Sequence, residues 1–413
     1  MNLLWVGNNA SRIGGQNRVT AYTVPELQRL GYHVTVAGKG PQVLDEGESA
    51  PCPHYPFSEY DPVENLHRII EQVRPDVILC SHDVWTFFYI PELKAKYPQI
   101  KLVGWLTIDA HPIPASWNGI LRAFDYLCTP TRFGRQTIYN RFPEKGVEVI
   151  RFGVDRQLYQ IPPTYEVKQQ TGRQLKRQFG EQNGISAFED ACVFVFAGAN
   201  QVKKNIGAMV DAAALLRDPA VQLVLALKSS PCQIGTYKFD GEYELRDLQR
   251  HQNIHLISNS LADSSLVQLY QMADFLLYPS QGEAPGLQLS EAQLCGTIPI
   301  ATDYTGMPEE SCFPEFLIRD YVLIRGQFNC YRAMVGAEAL ASTMQQAVAF
   351  WKSLNGLDTT QNGLCTARYA QFEADVAERF RTRTWEQTAR ELDSVFQAVV
   401  RNQLRIDQEL AIM

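Results

Sequence analysis

Two carboxylates, Glu283 and Glu291, lie eight positions apart where the sequence predicts a strand followed by a helix. The apolar run 275–278 predicts a buried strand, and residues 290–295 predict a helix that stops at Gly296. The backbone N–H groups at the start of such a helix favour an anion, most naturally a phosphate. A carboxylate instead accepts hydrogen bonds from hydroxyl groups. Phosphate beside hydroxyls predicts a site suited to a nucleotide sugar.

A second candidate binding segment is the turn 198–205, which follows the predicted strand 193–197 and opens a helix. Lys204, with Lys203 beside it, can place positive charge on a diphosphate that backbone N–H groups also hold. The alternative is a solvated lysine pair in a surface loop. The position at a helix start favours the phosphate-binding interpretation.

The first part of the chain places polar and aromatic residues after predicted strands. Asp109 and His111 follow the strand 102–106, in a loop that two prolines stiffen. An Asp and a His so close in sequence either form a structural hydrogen-bonded pair or serve a ligand. The segment 81–85, which contains His82, Asp83 and Trp85, is predicted as a second such loop after the strand 77–80.

Length and composition restrict the class of protein. The 413 residues suffice for two domains, and 45% hydrophobic with 20% charged residues is typical of globular chains. The net charge of -7 disfavours nucleic acid as a partner without excluding a local basic patch. Nine scattered cysteines indicate reduced thiols, so we expect a cytoplasmic protein with no metal site. No apolar run approaches the ~20 residues that a membrane span needs.

Apolar strands alternate with helix-length segments twice along the chain, which predicts two α/β domains with doubly wound parallel sheets. We place an N-terminal Rossmann-like domain at 1–160, a second Rossmann-like domain at 161–383, and a C-terminal helical segment at 384–413. Ligands of doubly wound domains bind at the carboxyl ends of the strands, so a cleft between the two domains is expected there.

Several segments, taken in order, resemble retaining glycosyltransferases with the GT-B fold, of the large family-four type. The string 282–292 and the downstream segment 298–309 resemble the E-x7-E region of that family and its G-x-P-E loop. The turn 198–205 is similar to the family's lysine-containing phosphate segment, with Ala199 where an arginine is usual. The loop 107–117 resembles an Asp-Gly-x-Pro segment of some members, and residues 153–155 match a G-V-D string.

The resemblance implies a retaining transfer of a sugar from a nucleotide diphosphate sugar to an acceptor hydroxyl, with no cofactor and no metal. It assigns catalysis to Glu283, Lys204, His111 and Asp109. The donor would contact Gly15, Gly198, Lys203, Lys204, Glu283, Gly286, Leu287 and Glu291, and the acceptor side would include His82, Asp83, Trp85 and Trp117. The terminal helix would cross back onto the first domain.

Two other functions stay open from the sequence. The change at Ala199 allows a noncatalytic partner subunit that only binds nucleotide sugars or glycans. A nucleotide-sugar epimerase would share the two-domain fold. The sequence does not specify the sugar, the nucleotide, the oligomeric state or the acceptor, which could be a saccharide, a lipid-linked glycan, a protein or a modified nucleic-acid base.

Overall fold

The computed structural model describes residues 1–10, 14–39, 52–57, 62–228, 232–234, 237–239, 248, 250–258 and 261–402. The chain divides into two compact units. The first contains Met1–Gly153, Arg325–Tyr331 and the residues from Thr382 onward, and the second contains Val154–Ile324 and Arg332–Arg381. Of the predicted terminal segment 384–413, residues 403–413 lie outside the described residues.

The described part of the first unit contains a seven-stranded parallel sheet in the order β3-β2-β1-β4-β5-β6-β7. The strands are β1 (Asn2–Asn8), β2 (His33–Lys39), β3 (His54–Phe57), β4 (Val77–Asp83), β5 (Lys101–Thr107), β6 (Tyr126–Thr129) and β7 (Val147–Val149). The helices are α1 (Gly15–Arg29), α2 (Pro62–Val73), α3 (Ile90–Lys96), α4 (Asn118–Ala123) and α5 (Arg132–Arg141).

The described part of the second unit contains a six-stranded parallel sheet in the order β12-β9-β8-β13-β14-β15. The strands of this half of the chain are β8 (Cys192–Ala199), β9 (Val221–Lys228), β10 (Cys232–Ile234), β11 (Tyr237–Phe239), β12 (Ile254–Ile257), β13 (Phe275–Tyr278), β14 (Ile298–Thr302), β15 (Leu317–Ile318), β16 (Val322–Arg325) and β17 (Tyr331–Met334). The helices are α6 (Tyr165–Asn183), α7 (Ile206–Leu216), α8 (Asp263–Met272), α9 (Leu287–Leu294), α10 (Met307–Glu310), α11 (Ala337–Leu354) and α12 (Asn362–Arg379).

The central strands are apolar because helices cover both faces of each sheet. Val77, Ile78, Leu79 and Cys80 of β4 are completely buried, and so are all residues of β13 to within 1%. The strand order reverses between β1 and β4 in the first sheet and between β8 and β13 in the second. Such reversal points are where doubly wound sheets bind ligands, at the carboxyl ends of the strands.

A final helix, α13 (Trp385–Val400), packs on α1 of the first unit. Its N-terminus is capped by Thr384, whose hydroxyl accepts a hydrogen bond from the Gln387 N–H at 3.1 Å. The rings of Trp385 and Tyr22 stack with centroids 5.6 Å apart, only 9° from parallel. This helix therefore belongs to the same compact unit as the N-terminal sheet.

Candidate functional site

Lys204 and Glu283 follow the two strands that flank the reversal point of the second sheet. Lys204 ends a short 3-10 turn, Val202–Lys204, after β8, and Glu283 lies in the loop after β13. The turn and the loop are joined by a hydrogen bond from the Gln281 N–H to the Lys203 carbonyl at 2.8 Å. Parallel strands end at the same edge, so residues 79 apart in sequence become neighbours.

The Lys204 ammonium and a carboxylate oxygen of Glu283 form an ion pair. Both side chains are only 11% exposed. The ammonium also lies 3.5 Å from the Tyr278 hydroxyl and 5.3 Å from the centre of the Tyr278 ring. A charged pair that is this buried keeps its geometry, because either partner alone would be a poorly solvated charge.

Tyr278, the last residue of β13, was not among the predicted site residues. It is almost fully buried. Burial raises the pKa of its phenol well above the ordinary value, and the negative charges of Glu283 and Glu291 raise it further. Tyr278 is therefore a neutral hydroxyl beside the ion pair. Its place at the carboxyl end of an apolar strand is the sequence signal that could have identified it.

Helix α9 starts at Leu287, three residues earlier than residues 290–295 indicated, with Gly286 as its N-terminal cap. Gly286 has φ of 91°, and a Cβ at this position would lie 3.1 Å from the Tyr278 ring. Both the backbone conformation and the space therefore require glycine. Glu291, predicted to contact the donor, lies on α9 and is 2% exposed.

Gly198 lies near the end of β8, where a Cβ would approach the Phe196 ring to 2.8 Å. Its other close neighbour is the side-chain amide of Gln288, on the first turn of α9. Ala199 is partly buried at the end of the same strand. Gly198 and Ala199 thus belong to the strand and not to the turn predicted for 198–205. The structure brings this end of β8 next to the start of α9.

The loop between β14 and α10 anchors the backbone of Glu283. The Thr305 hydroxyl accepts a hydrogen bond from the Glu283 N–H at 3.0 Å and lies 2.9 Å from the Glu283 carbonyl oxygen. The Gly306 N–H donates to the same carbonyl at 3.0 Å. The sequence of the segment 298–309 indicates only a resemblance to a loop of the family. The structure shows that it holds one particular carboxylate-bearing residue.

In the first unit, Gly15 is the first residue of α1 and is exposed. It follows Gly14, whose φ of 103° lies in the region that favours glycine. Gly15 itself has no atom within 4 Å of a hypothetical Cβ. The structure therefore leaves room for a side chain at Gly15.

His82 and Asp83 belong to β4, not to the loop predicted for 81–85, because the strand continues to Asp83. The pattern of apolar residues missed the last three residues of β4, 81–83, because they are polar. The Thr107 hydroxyl, on the neighbouring strand β5, donates to the Asp83 carboxylate at 2.5 Å. His82 Nδ1 accepts a hydrogen bond from the Asp83 N–H at 2.7 Å.

Asp109 and His111 lie in the loop after β5, both partly buried. The His111 carbonyl accepts a hydrogen bond from the Tyr331 N–H at 2.6 Å, and the two rings lie with centroids 5.8 Å apart. The centroid of the Phe133 ring lies 6.1 Å from that of the His111 ring. Tyr331 comes from the segment 325–331, which no sequence pattern indicated as part of this site.

The same segment brings the predicted aromatic residues of the first unit together. The Phe328 ring lies 5.4 Å from the Trp117 ring and 6.4 Å from the Trp85 ring. Trp85 and Phe328 remain 44% and 46% exposed. The Lys39 ammonium lies 5.7 Å from the centre of the Trp85 ring. The result is a half-exposed aromatic cluster with a cation at its side.

The described residues contain no group of three or more His, Cys, Asp or Glu side chains arranged to hold a metal ion. Within the same described ranges, no helix combines the length and the apolar character needed to cross a membrane.

Comparison with solved structures identifies the class of fold. A glycosyltransferase from Rickettsia africae ESF-5 aligns with 97% of this chain and 99% of its own, with a TM-score of 0.67 and 16% identity. A protein from Anabaena, solved in complex with UDP, aligns with 96% of this chain and 100% of its own, with a TM-score of 0.63 and 14% identity. The predicted class is confirmed: this is a GT-B glycosyltransferase fold.

Sequence comparison identifies the family. Residues 180–312 match the profile of glycosyl transferases group 1, and residues 13–158 match that of glycosyltransferase family 4. A D-inositol 3-phosphate glycosyltransferase from Saccharomonospora viridis is 33% identical over 327 residues, 71% of this chain and 74% of that relative. Its namesake from Jonesia denitrificans is 32% identical over 179 residues, 41% of this chain and only 38% of that relative. The chain belongs to the glycosyl transferases group 1 family.

Proposed function

We propose that this protein transfers a sugar, with retention of anomeric configuration, from a nucleotide diphosphate sugar to a hydroxyl group. The observation that carries the proposal is the buried pair of Lys204 and Glu283 beside the start of α9. It supplies a cation for a diphosphate and a carboxylate for sugar hydroxyls within one hydrogen-bonded group.

The cation has a defined task in this reaction. The bond from the anomeric carbon to the diphosphate oxygen breaks, the diphosphate leaves with its extra negative charge, and the acceptor oxygen forms the new bond. An ammonium has three donors, so Lys204 can keep Glu283 while it donates to a phosphate oxygen. Preorganised charge of this kind lowers the barrier because it stabilises the leaving group as its charge develops. The acceptor proton is lost to the departing phosphate or to solvent.

The remaining second-unit residues complete the donor site. The N–H groups near Gly286 and Leu287 lie at the N-terminal end of α9, and this end of a helix favours a bound anion. Glu291 would accept hydrogen bonds from ribose hydroxyls. Lys203 would supply the positive charge that an arginine usually supplies at the position of Ala199. Gly198 would allow the backbone of β8 to come close to the ligand.

For the acceptor we propose a small polyhydroxylated ring that carries a phosphate, because the relatives in the comparison are named D-inositol 3-phosphate glycosyltransferases. His82, Asp83, Asp109 and His111 offer hydrogen bonds to hydroxyl groups, and Trp85 and Trp117 offer apolar faces. This assignment uses first-unit residues whose types fit such a ligand.

The test combines the purified protein with a panel of UDP-, GDP- and ADP-sugars, with and without an inositol phosphate acceptor. Release of the nucleoside diphosphate and the anomeric coupling constant of the product are measured by NMR. We expect acceptor-stimulated release and a retained anomer. Inversion at C2 of the nucleotide sugar would establish an epimerase instead, and binding of a nucleotide sugar or glycan without any turnover would favour the noncatalytic partner.

A further inference from the structure

Thr305 combines two features that oppose each other energetically. Its φ of 56° lies in the left-handed region, which β-branched residues rarely adopt and where glycine or asparagine is favoured. The residue is also only 7% exposed, so its hydroxyl must find partners inside the protein. A threonine in this strained backbone conformation indicates that its side chain makes an interaction that offsets the strain.

The hydroxyl provides that reason, because its partners belong to Glu283. Its oxygen accepts from the Glu283 N–H at 3.0 Å. Its proton can be donated either to the Glu283 carbonyl at 2.9 Å or to the Tyr304 carbonyl at 2.7 Å. The Gly306 N–H adds a bond to the Glu283 carbonyl at 3.0 Å. Both backbone polar groups of Glu283 are thus held by two consecutive residues of the loop after β14.

This arrangement determines where the Glu283 carboxylate lies. Glu283 sits in the eight-residue connection 279–286 between β13 and α9. Side chains in such a connection keep a fixed position only if the backbone does. The same backbone carries the carboxylate that pairs with Lys204. Movement of the Glu283 backbone would therefore move the carboxylate relative to the cation.

We infer that Thr305 is a positioning residue, which holds Glu283 in the orientation that binds the donor sugar and keeps Lys204 aimed at the diphosphate. The inference rests on the proposed function, because it names what the Thr305 hydroxyl does for that donor site. Thr305 would act through the backbone of Glu283 and not by contact with the substrate. A β-branched residue is retained in an unfavourable backbone conformation because its hydroxyl is needed there.

Three substitutions of Thr305 separate this role from ordinary structural support. Thr305→Val keeps the shape and removes the hydroxyl, and Thr305→Ser keeps the hydroxyl. Thr305→Gly removes the hydroxyl but relieves the backbone conformation. We expect the Val and Gly variants to raise KM for the nucleotide sugar about tenfold, the size of one lost positioning hydrogen bond. The Ser variant should stay within about threefold of the native protein.

Thermal unfolding measured on the same samples provides the second readout. Thr305→Gly should melt at or above the temperature of Thr305→Val, since glycine adopts the left-handed conformation freely, and yet bind the donor as poorly. A matched control is Thr388→Val in α13, which removes another buried hydroxyl, one that donates to the Arg151 carbonyl at 2.9 Å, and should leave the KM for the donor unchanged.

Crystal structures of the Val and Gly variants should show the Glu283 carboxylate displaced from Lys204. Native donor kinetics in Thr305→Gly, or an effect of Thr388→Val equal to that of Thr305→Val, would overturn the inference while the proposed function stands. If the native protein turns over no nucleotide sugar, the proposed function fails, and the role of Thr305 fails with it.

Discussion

The Lys204 ammonium and the Glu283 carboxylate, 79 residues apart in sequence, form a buried ion pair at the point where the strand order of the second sheet reverses. The pair satisfies two charges that water reaches poorly. In the proposed function it would also present both charges to the donor at the carboxyl ends of β8 and β13. The proposal therefore links stability and donor binding at this pair, and substitutions can separate them.

We predict that Lys204→Met lowers both stability and donor affinity. Removal of one partner leaves Glu283 buried without its cation, which costs about 2–3 kcal/mol, somewhat less than for fully buried pairs because some solvent contact remains. Donor affinity should fall at least about tenfold as a phosphate contact is lost. Urea unfolding and calorimetric titration with nucleoside diphosphates measure the two effects.

The double variant Lys204→Met with Glu283→Gln tests the linkage. Both charges are gone, so the free energy of unfolding should return to within about 1 kcal/mol of the native value. Donor binding should stay weak. If binding recovers together with stability, the loss in the single variant came from disturbed folding and not from the missing cation.

We predict that Gly286→Ala destabilises the loop before α9 and weakens donor binding. The substitution puts a Cβ 3.1 Å from the Tyr278 ring at a residue with φ of 91°. The backbone conformation alone costs about 1–2 kcal/mol for a residue with a Cβ. Since the same turn supplies the N–H groups at the start of α9, KM for the donor should rise as the melting temperature falls.

Gly363→Ala is the matched control for that substitution. Gly363 lies in the first turn of α12, with open space around a hypothetical Cβ and no positive φ. Alanine there should change the free energy of unfolding by less than about 1 kcal/mol, and in the stabilising direction. An equal loss of donor affinity in both variants would show that the effect at Gly286 is not specific.

How much the sequence predicts differs between the fold and the site. The strand Phe275–Tyr278 is found at the residues that its apolar run indicates, because a strand buried on both faces is apolar throughout. The repetition of such strands predicts two doubly wound domains, and the resemblance to the family implies the GT-B class. The sequence did not predict that β4 extends to His82 and Asp83, because these polar residues lie at the end of the strand and not in the apolar core.

The residues that contact the predicted site residues are harder to predict from the sequence. The φ of Thr305 is a property of the folded loop and leaves no trace in residue order. Phe328 reaches Trp117 across more than two hundred residues of sequence, and only the tertiary fold creates such a contact. Residue type and position after a strand predict which side chains are candidates for a site. They do not predict which distant side chains hold them.

We predict that the aromatic cluster of the first unit contributes to acceptor binding. Trp85→Ala and Phe328→Ala should each raise the acceptor KM about fivefold or more, since a half-exposed ring face that stacks on a ligand contributes on the order of 1 kcal/mol. Donor hydrolysis without acceptor should stay at the native rate, because neither ring belongs to the donor site.

Steady-state kinetics at saturating donor measure the acceptor effect. Leu364→Ala is the control, because Leu364 is an apolar residue of α12 that is 75% exposed and far in sequence from both rings. An unchanged acceptor KM in both aromatic variants would remove Trp85 and Phe328 from the acceptor site. A parallel loss of donor hydrolysis would mean that the rings support the fold of the unit and not the ligand.

Glu373 of α12 should make stability depend on pH. Burial, together with the smaller effect of the negative charge of Glu166, raises the pKa of its carboxyl to about 7. Its Oε1 atom has no hydrogen-bond partner among the described residues. A carboxyl with a raised folded-state pKa binds its proton more tightly than in the unfolded chain, so stability is lost as pH rises from about 4.3 towards 7.

We therefore predict that Glu373→Gln is more stable than the native protein above pH 7, where the native carboxylate is charged, and equally stable near pH 4, where it is neutral. The gain should be on the order of 1 kcal/mol, because the side chain is partly exposed and solvent screens its charge. Melting temperatures of both proteins at half-unit pH steps measure it. Glu378→Gln, an exposed carboxylate on the same helix, should show no such pH-dependent gain. A constant difference between Glu373→Gln and the native protein across the pH range would contradict the assignment.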